Sequence, residues 1–169
     1  NYAKGTNDVI LLQGTITTKT PITLEDLTLP FNSNVAVNQL FDTVYLQIGS
    51  STMTWSASSA TGTTGNAVFL GLATVSNSAQ VKIYGKLRDN APAANFRFED
   101  LRLTSFATAE YVSNQNKVTS AVGTISAVQV FVDSTGLSIT RVDGLGNTNI
   151  AVGSKGVLVN GLNLAVTQG

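Results

Sequence analysis

The sequence predicts an all-β protein, an antiparallel β-sandwich with at most short helical turns. Three observations carry the prediction. Short runs of β-branched, aliphatic and aromatic residues alternate with polar positions, and clusters of Gly, Asn, Asp and Ser bound them. Ser and Thr together number 37 and Asn 15 while aliphatic β-formers stay plentiful, which suits a polar-surfaced β protein better than a disordered chain. The third is a doubled motif whose hydrophobic phase flips in mid-strand, taken up below.

At 169 residues the chain can bury a core and make one domain, or one and a fraction. It contains no Cys and no His, which removes disulfides, thiolate nucleophiles, imidazole bases and ordinary zinc or copper sites. Ten basic and ten acidic residues cancel, so neither nucleic acid nor an anionic membrane is an expected partner. No apolar run is long enough to span a bilayer and no leader stands at Asn1, so no membrane insertion is expected in this segment. None of the 15 Asn lies in an Asn-x-Ser/Thr acceptor, which leans away from a heavily N-glycosylated surface. The composition reads as extracellular β structure.

The chain opens on Asn1-Tyr2-Ala3-Lys4-Gly5-Thr6-Asn7-Asp8-Val9-Ile10-Leu11. Near the end, Asn149-Ile150-Ala151-Val152-Gly153-Ser154-Lys155-Gly156-Val157-Leu158-Val159 repeats its Asn, Ala, Gly and Val in place and matches Thr6 with Ser154. Self-similarity at a fixed period marks an array, so the chain reads as one repeat plus the opening strand of the next. Residues 9–18 form a strand or a tight hairpin, because Gln13-Gly14 interrupts an apolar, β-branched run.

Next, Ile22-Thr23-Leu24-Glu25-Asp26-Leu27-Thr28-Leu29 and Phe96-Arg97-Phe98-Glu99-Asp100-Leu101-Arg102-Leu103 share the pattern apolar-x-apolar-Glu-Asp-Leu-x-Leu. The apolar phase is even before each Glu-Asp pair and odd after it. Strand side chains alternate strictly, so each flip needs a bulge or a switch between packed sheets, and the doubled motif argues for a sandwich whose corner strands cross over. The acids are read as solvated corner residues accepting backbone hydrogen bonds. The alternatives are calcium ligands or a glycoside-cleaving carboxylate pair, and adjacent strand residues face opposite ways, which disfavours the second.

Residues 32–42 embed Val35, Val37, Leu40 and Phe41 in polar surroundings, as a loop or a single helical turn. Val44, Leu46 and Ile48 alternate with Tyr45 and Gln47, Gly49-Ser50-Ser51 turns, and Met53 and Trp55 continue the apolar face as a hairpin. Residues 56–66, all Ser, Thr, Ala, Gly and Asn, read as the most mobile internal loop and first internal proteolytic site. Beside it, Trp55 either stacks on a sugar or fills the core between two sheets.

Residues 68–72 form a short apolar strand, central in its sheet. In the following strand Val81, Ile83 and Leu87 face inward with Gly85, and Lys82, Tyr84, Lys86 and Arg88 form a basic outer stripe. That stripe could bind an anionic polysaccharide or a neighbouring subunit, or be a solvated face and nothing more. Asp89-Asn90-Ala91-Pro92 ends the strand. A short helical turn is expected over 106–112, and the linker-like residues 113–117 divide a sandwich module of 1–112 from a smaller β segment of 113–169. A single sandwich over 1–169 is the alternative.

A strand follows through Val128, Val130 and Val132, and Leu137 and Ile139 return after a turn. Asp143, Asn147 and Asn149 occupy the first, fifth and seventh positions of a calcium-type loop that lacks the third-position acid and sixth-position Gly. No other cofactor is expected. Gly144-x-Gly146 fails as a dinucleotide loop because no third Gly and no helix follow. In residues 156–167, Val157, Val159, Leu162, Leu164 and Val166 form an apolar set that must complete a sheet. Its place lies within this chain or in a neighbouring copy, at the position of Val9, Ile10 and Leu11.

Short alternating strands, Ser/Thr/Asn-rich loops, absent cysteines and an internal repeat boundary together resemble the immunoglobulin-like β-sandwich modules of large bacterial surface, S-layer and adhesin proteins. A jelly-roll-like sandwich is the variant. The resemblance implies a secreted, non-enzymatic structural module of a surface layer, stalk or filament, assembling with copies of itself or neighbouring repeats by strand pairing and end-to-end packing. A module from another class would bind cell-surface polysaccharide through Trp55, Tyr84, Lys82 and Lys86. A glycosidase on the Glu-Asp corners and a viral coat or tail subunit complete the set.

Overall fold

The computed structural model describes residues 1–133 and the backbone of 136–143 and 160–167. Its strands, in chain order, are β1 (Tyr2–Ala3), β2 (Val9–Thr17), β3 (Ile22–Ser33), β4 (Phe41–Ile48), β5 (Ser51–Trp55), β6 (Thr64–Val75), β7 (Ser78–Leu87), β8 (Ala94–Phe98), β9 (Phe106–Tyr111), β10 (Val130–Asp133), β11 (Gly136–Asp143) and β12 (Asn160–Thr167). The helical content described is three short 3-10 turns, Val37–Gln39, Ala57–Ser59 and Leu103–Ser105. The chain is an all-β sandwich. One sheet runs β1-β10-β8-β3-β6 with β9 also against β3, and the facing sheet runs β2-β7-β4-β5. Every pairing is antiparallel except β1 with β10.

Period-two burial builds the two faces. In β7, Ala79, Val81, Ile83, Gly85 and Leu87 are buried while Lys82, Tyr84 and Lys86 turn outward. The core between the sheets is aromatic at its centre. Trp55 of β5 meets Phe31 of β3 at 5.3 Å, Phe98 of β8 at 6.2 Å and Phe69 of β6 at 6.3 Å between ring centroids, and Phe41 of β4 sets its edge on Phe96 at 5.4 Å. These contacts are tilted or edge-on, the arrangement that ring quadrupoles favour.

The phase flip in β3 is a bulge. Ile22 and Leu24 are buried before it, Leu27, Leu29, Phe31 and Ser33 after it. The register with β6 slips between Glu25 and Leu27, and Asp26 takes a positive φ of 41°, the left-handed conformation that Asp tolerates better than most residues. Its carboxylate accepts the Gly71 N–H at 2.8 Å, a donor displaced from the ladder by the same bulge. The second motif breaks a strand. β8 lies against the far half of β3 and β9 against the near half, and residues 100–105 leave the ladder between them. Neither motif carries its strand into the other sheet. Pro30 sits within β3 where Glu99 N–H donates to its carbonyl, so the edge it faces asks for an acceptor and not for the N–H that proline lacks.

Several expectations are corrected. The apolar run 68–72 belongs to a 12-residue edge strand, β6, which has β3 on one side and no described strand on the other. Ala67, Phe69, Ala73 and Val75 point inward, leaving Val68, Leu70 and Leu72 exposed. Residues 106–111 are strand and not helix, because the near half of β3 offers an open edge. Gly14 makes no turn: β2 runs through it, and a Cβ there would meet Ile125 Cγ2 at 2.6 Å, so the glycine admits the crossing segment. Between residues 123 and 128 there are isolated bridges, Leu101 to Ile125 and Leu12 to Ala127, in place of a continuous strand.

Two compact units emerge, Asn1–Asp133 and Ser134–Gly169. The break follows Asp133, since residues 113–133 bond into the first unit through Val118 N–H to Ala109 C=O, Val128 N–H to Leu11 C=O, and the β10–β8 ladder. In the second unit β11 and β12 form an antiparallel pair with Leu137 opposite Val166, Ile139 opposite Leu164 and Arg141 opposite Leu162.

The loop 56–66 is also pinned. Ala57 is fully buried, Thr64 to Asn66 belong to β6, and the carbonyls of Ala60, Gly62 and Thr63 accept N–H groups of Asn38, Val37 and Ser33 at 2.9, 3.2 and 2.8 Å. Residues 119–124 contrast with it: all six are exposed and no described strand includes them. Limited proteolysis should therefore nick the first unit within 119–124 before 56–66; mass mapping of the first fragments checks this, and an initial cut within 56–63 contradicts it.

Candidate functional site

The outer face of the second sheet gathers most of the expected ligand-binding residues. Antiparallel register lines up Ile10, Tyr84, Tyr45 and Thr54 across β2, β7, β4 and β5, and beside them Gln13, Lys82, Gln47 and Thr52. Tyr45 and Tyr84 stack with centroids 5.3 Å apart at 19°, and Lys82 Nζ lies 4.5 Å from the centre of the Tyr84 ring. Tyr84 is thus engaged both by the Tyr45 ring and by an ammonium group.

Tyr45 was legible in the sequence as an outward position of β4. Its partnership with Tyr84 was not, because it depends on which strands are neighbours. Lys86 is exposed, and with Tyr45 it borders an open cleft of about 380 Å³ at the end of the face, where Asp42 and Arg88 form an ion pair. Trp55 stands apart from all of them, 8% exposed in the aromatic core, so the core reading of that residue holds and its place in a sugar site is withdrawn.

The Glu-Asp corners spend their aspartates on the fold. Asp100 accepts the Ala127 N–H at 3.0 Å and an Arg97 N–H at 3.1 Å, as Asp26 accepts that of Gly71. Glu25 and Glu99 are exposed. Glu99 is bonded at Pro30, five residues along β3 from Glu25, which is roughly 16 Å of strand at about 3.3 Å per residue. Paired glycosidase carboxylates stand about 5 to 9.5 Å apart. Beside this corner an open groove of about 990 Å³ runs along β3 between Thr28 and Asn32.

The Ala127 N–H, followed by the Arg97 guanidinium and the charge of Arg102, holds the Asp100 carboxyl below its ordinary value of 3.8 against partial desolvation. A carboxyl whose folded value is depressed stabilises the fold fully above its unfolded value and loses that contribution as pH falls through the folded one. Thermal unfolding of Asp100→Asn should accordingly show a smaller fall in melting temperature than the parent between pH 4 and lower values. Parallel profiles for the two proteins would remove Asp100 from the acid sensitivity.

Among the described residues no cluster of three acidic side chains could hold a metal ion, and no helix is long and apolar enough to cross a membrane. Of the calcium-type loop, Asp143 is the last residue of β11, while Asn147 and Asn149 lie outside the described residues. Val157, Val159 and the second copy of the opening motif lie outside them too. Val9, Ile10 and Leu11 stand in β2. That strand is paired to β7 on one side, and its Leu11 carbonyl accepts the Val128 N–H on the other. Leu162, Leu164 and Val166 are paired in the same chain through β12. No protein-family model, no curated protein and no solved structure matches the chain.

Proposed function

We propose that the chain is a non-enzymatic structural module of an extracellular layer, stalk or filament, assembling with copies of itself. The observation that carries this reading is where the polar chemistry is spent. Asp26 and Asp100 hold backbone N–H groups, Asp42 pairs with Arg88, and the outward tyrosines stack on one another. What remains for function is surface and edge. Sedimentation velocity over a range of concentrations should show growth from monomer into larger species, with no hydrolysis of polysaccharide. A chain that stays monomeric at every concentration contradicts the assembly reading.

The cleft that Tyr45 and Lys86 border together favours a second reading, a carbohydrate-binding module recognising an acidic glycan on the outer face of the second sheet. Saturable binding on a glycan array, abolished by Tyr45→Ala, would select it over the first.

A further inference from the structure

One stretch of the chain is without charge. From Thr43 to Val81 the sequence holds no Asp, Glu, Lys or Arg. The fold gathers much of that stretch at one border, where β5 ends the second sheet and β6 ends the first. The two edges are in contact there, since a Cβ on Gly71 would stand 3.0 Å from Met53 Cγ. Along this border β6 presents Leu70 at 68%, Leu72 at 52% and Val68 at 41% exposure.

Natural sheets guard their edges with short strands, charged side chains, proline or a covering segment. Other edges here follow that rule. β1 has two residues, β5 has five, and the crossing segment at Ala127 and Val128 bridges the far side of β2. β6 has 12 residues, no proline and no charge, and among the described residues it pairs with β3 alone. Its one guard is the bulge at Leu70 and Gly71 opposite Asp26. That leaves residues 64–69 in unbroken register as a ladder template.

We infer that β6 is the edge through which two copies of this chain join, strand to strand and antiparallel about a twofold axis, so that the first sheet runs on from one copy into the other. Residues 64–69 supply the ladder, and Val68, Leu70 and Leu72 form the apolar seam beside it. Neutrality selects a second copy as the occupant. In a twofold contact a surface meets itself, so any charge on the pairing strand would face its like; β6 carries none, and the acids nearest to it stand one strand back on β3, Asp26 bonded to the Gly71 N–H and Glu25 opposite Leu72.

The inference rests on the self-assembly reading, and one set of experiments separates the two. Sedimentation of the parent chain is compared with Leu70→Lys and with Gln13→Lys, the latter on the exposed outer face of the second sheet. Leu70→Lys should raise the self-dissociation constant roughly ten-fold or more with an unchanged circular dichroism spectrum, and Gln13→Lys should leave it unaltered. The chain has no cysteine. Single substitutions Asn66→Cys, Val68→Cys and Leu70→Cys therefore report the contact directly, and at least one should form an intermolecular disulfide under mild oxidation. A parent chain that is monomeric throughout overturns both the reading and the inference. Association that persists in Leu70→Lys, with no crosslink at any of the three cysteines, overturns the inference alone.

Discussion

Replacing Trp55 by alanine should cost the first unit about 3–5 kcal/mol of stability, the range for removing a large aromatic side chain from a packed core. The side chain comes from β5 and closes on Phe31, Phe69 and Phe98, which belong to three strands of the opposite sheet. Its removal leaves a void bordered by rings that are themselves tied to one another. Phe98 lies 5.0 Å from Phe96 and 6.5 Å from Phe69, so little of the surrounding structure can collapse inward. Domains are stable by about 5–15 kcal/mol, so the loss takes a large share of the total. Trp55→Phe should recover part of it. Trp55 is the only tryptophan, so its fluorescence follows unfolding of the parent, and circular dichroism in denaturant follows the variants. A loss under about 1 kcal/mol would place the ring outside the core.

Asp26→Ala should cost about 2–3 kcal/mol, from two separable causes. Alanine at a φ of 41° meets the left-handed penalty of about 1–2 kcal/mol, and the Gly71 N–H loses its acceptor, worth about 1 kcal/mol where water can partly replace it. Substitutions divide the two. Asp26→Gly relieves the backbone and loses the bond. Asp26→Asn keeps both the tolerance for positive φ and an oxygen acceptor, so it should be the mildest of the three. Equilibrium denaturation gives the order. If Asp26→Asn is as damaging as Asp26→Ala, the carboxylate charge and not the bulge geometry is what matters there.

The break in alternation at Glu25-Asp26 was legible because Leu24 and Leu27 cannot share a face of a regular strand; that it is a bulge against β6 and not a crossing into the other sheet was not, because that depends on the partner strand. The face assignments of β4 and β7 were legible for the same reason. What the sequence concealed are facts about neighbours. The run Val68-Phe69-Leu70-Gly71-Leu72 reads as buried on both sides, and whether an aliphatic strand is central or marginal depends on what pairs beyond it. Phe106-Ala107-Thr108-Ala109-Glu110-Tyr111 carries good helix formers, yet the open half of β3 takes it as a strand, tertiary pairing overriding a weak local preference. The Ser/Thr-rich loop gives no sign of its anchoring because its bonds are made by backbone carbonyls, which every residue has. The outer site was half visible. Tyr84, Lys82 and Lys86 followed from alternation, whereas Tyr45 came to Tyr84 only through the β4–β7 register.

Amide hydrogen exchange measured at several protein concentrations tests the assembly account most directly. Strand pairing at β6 predicts that amides within residues 64–69 exchange more slowly as concentration rises, while those of β2 and β5 keep the same rates throughout. Rates in 64–69 that are identical from the most dilute to the most concentrated sample would contradict it.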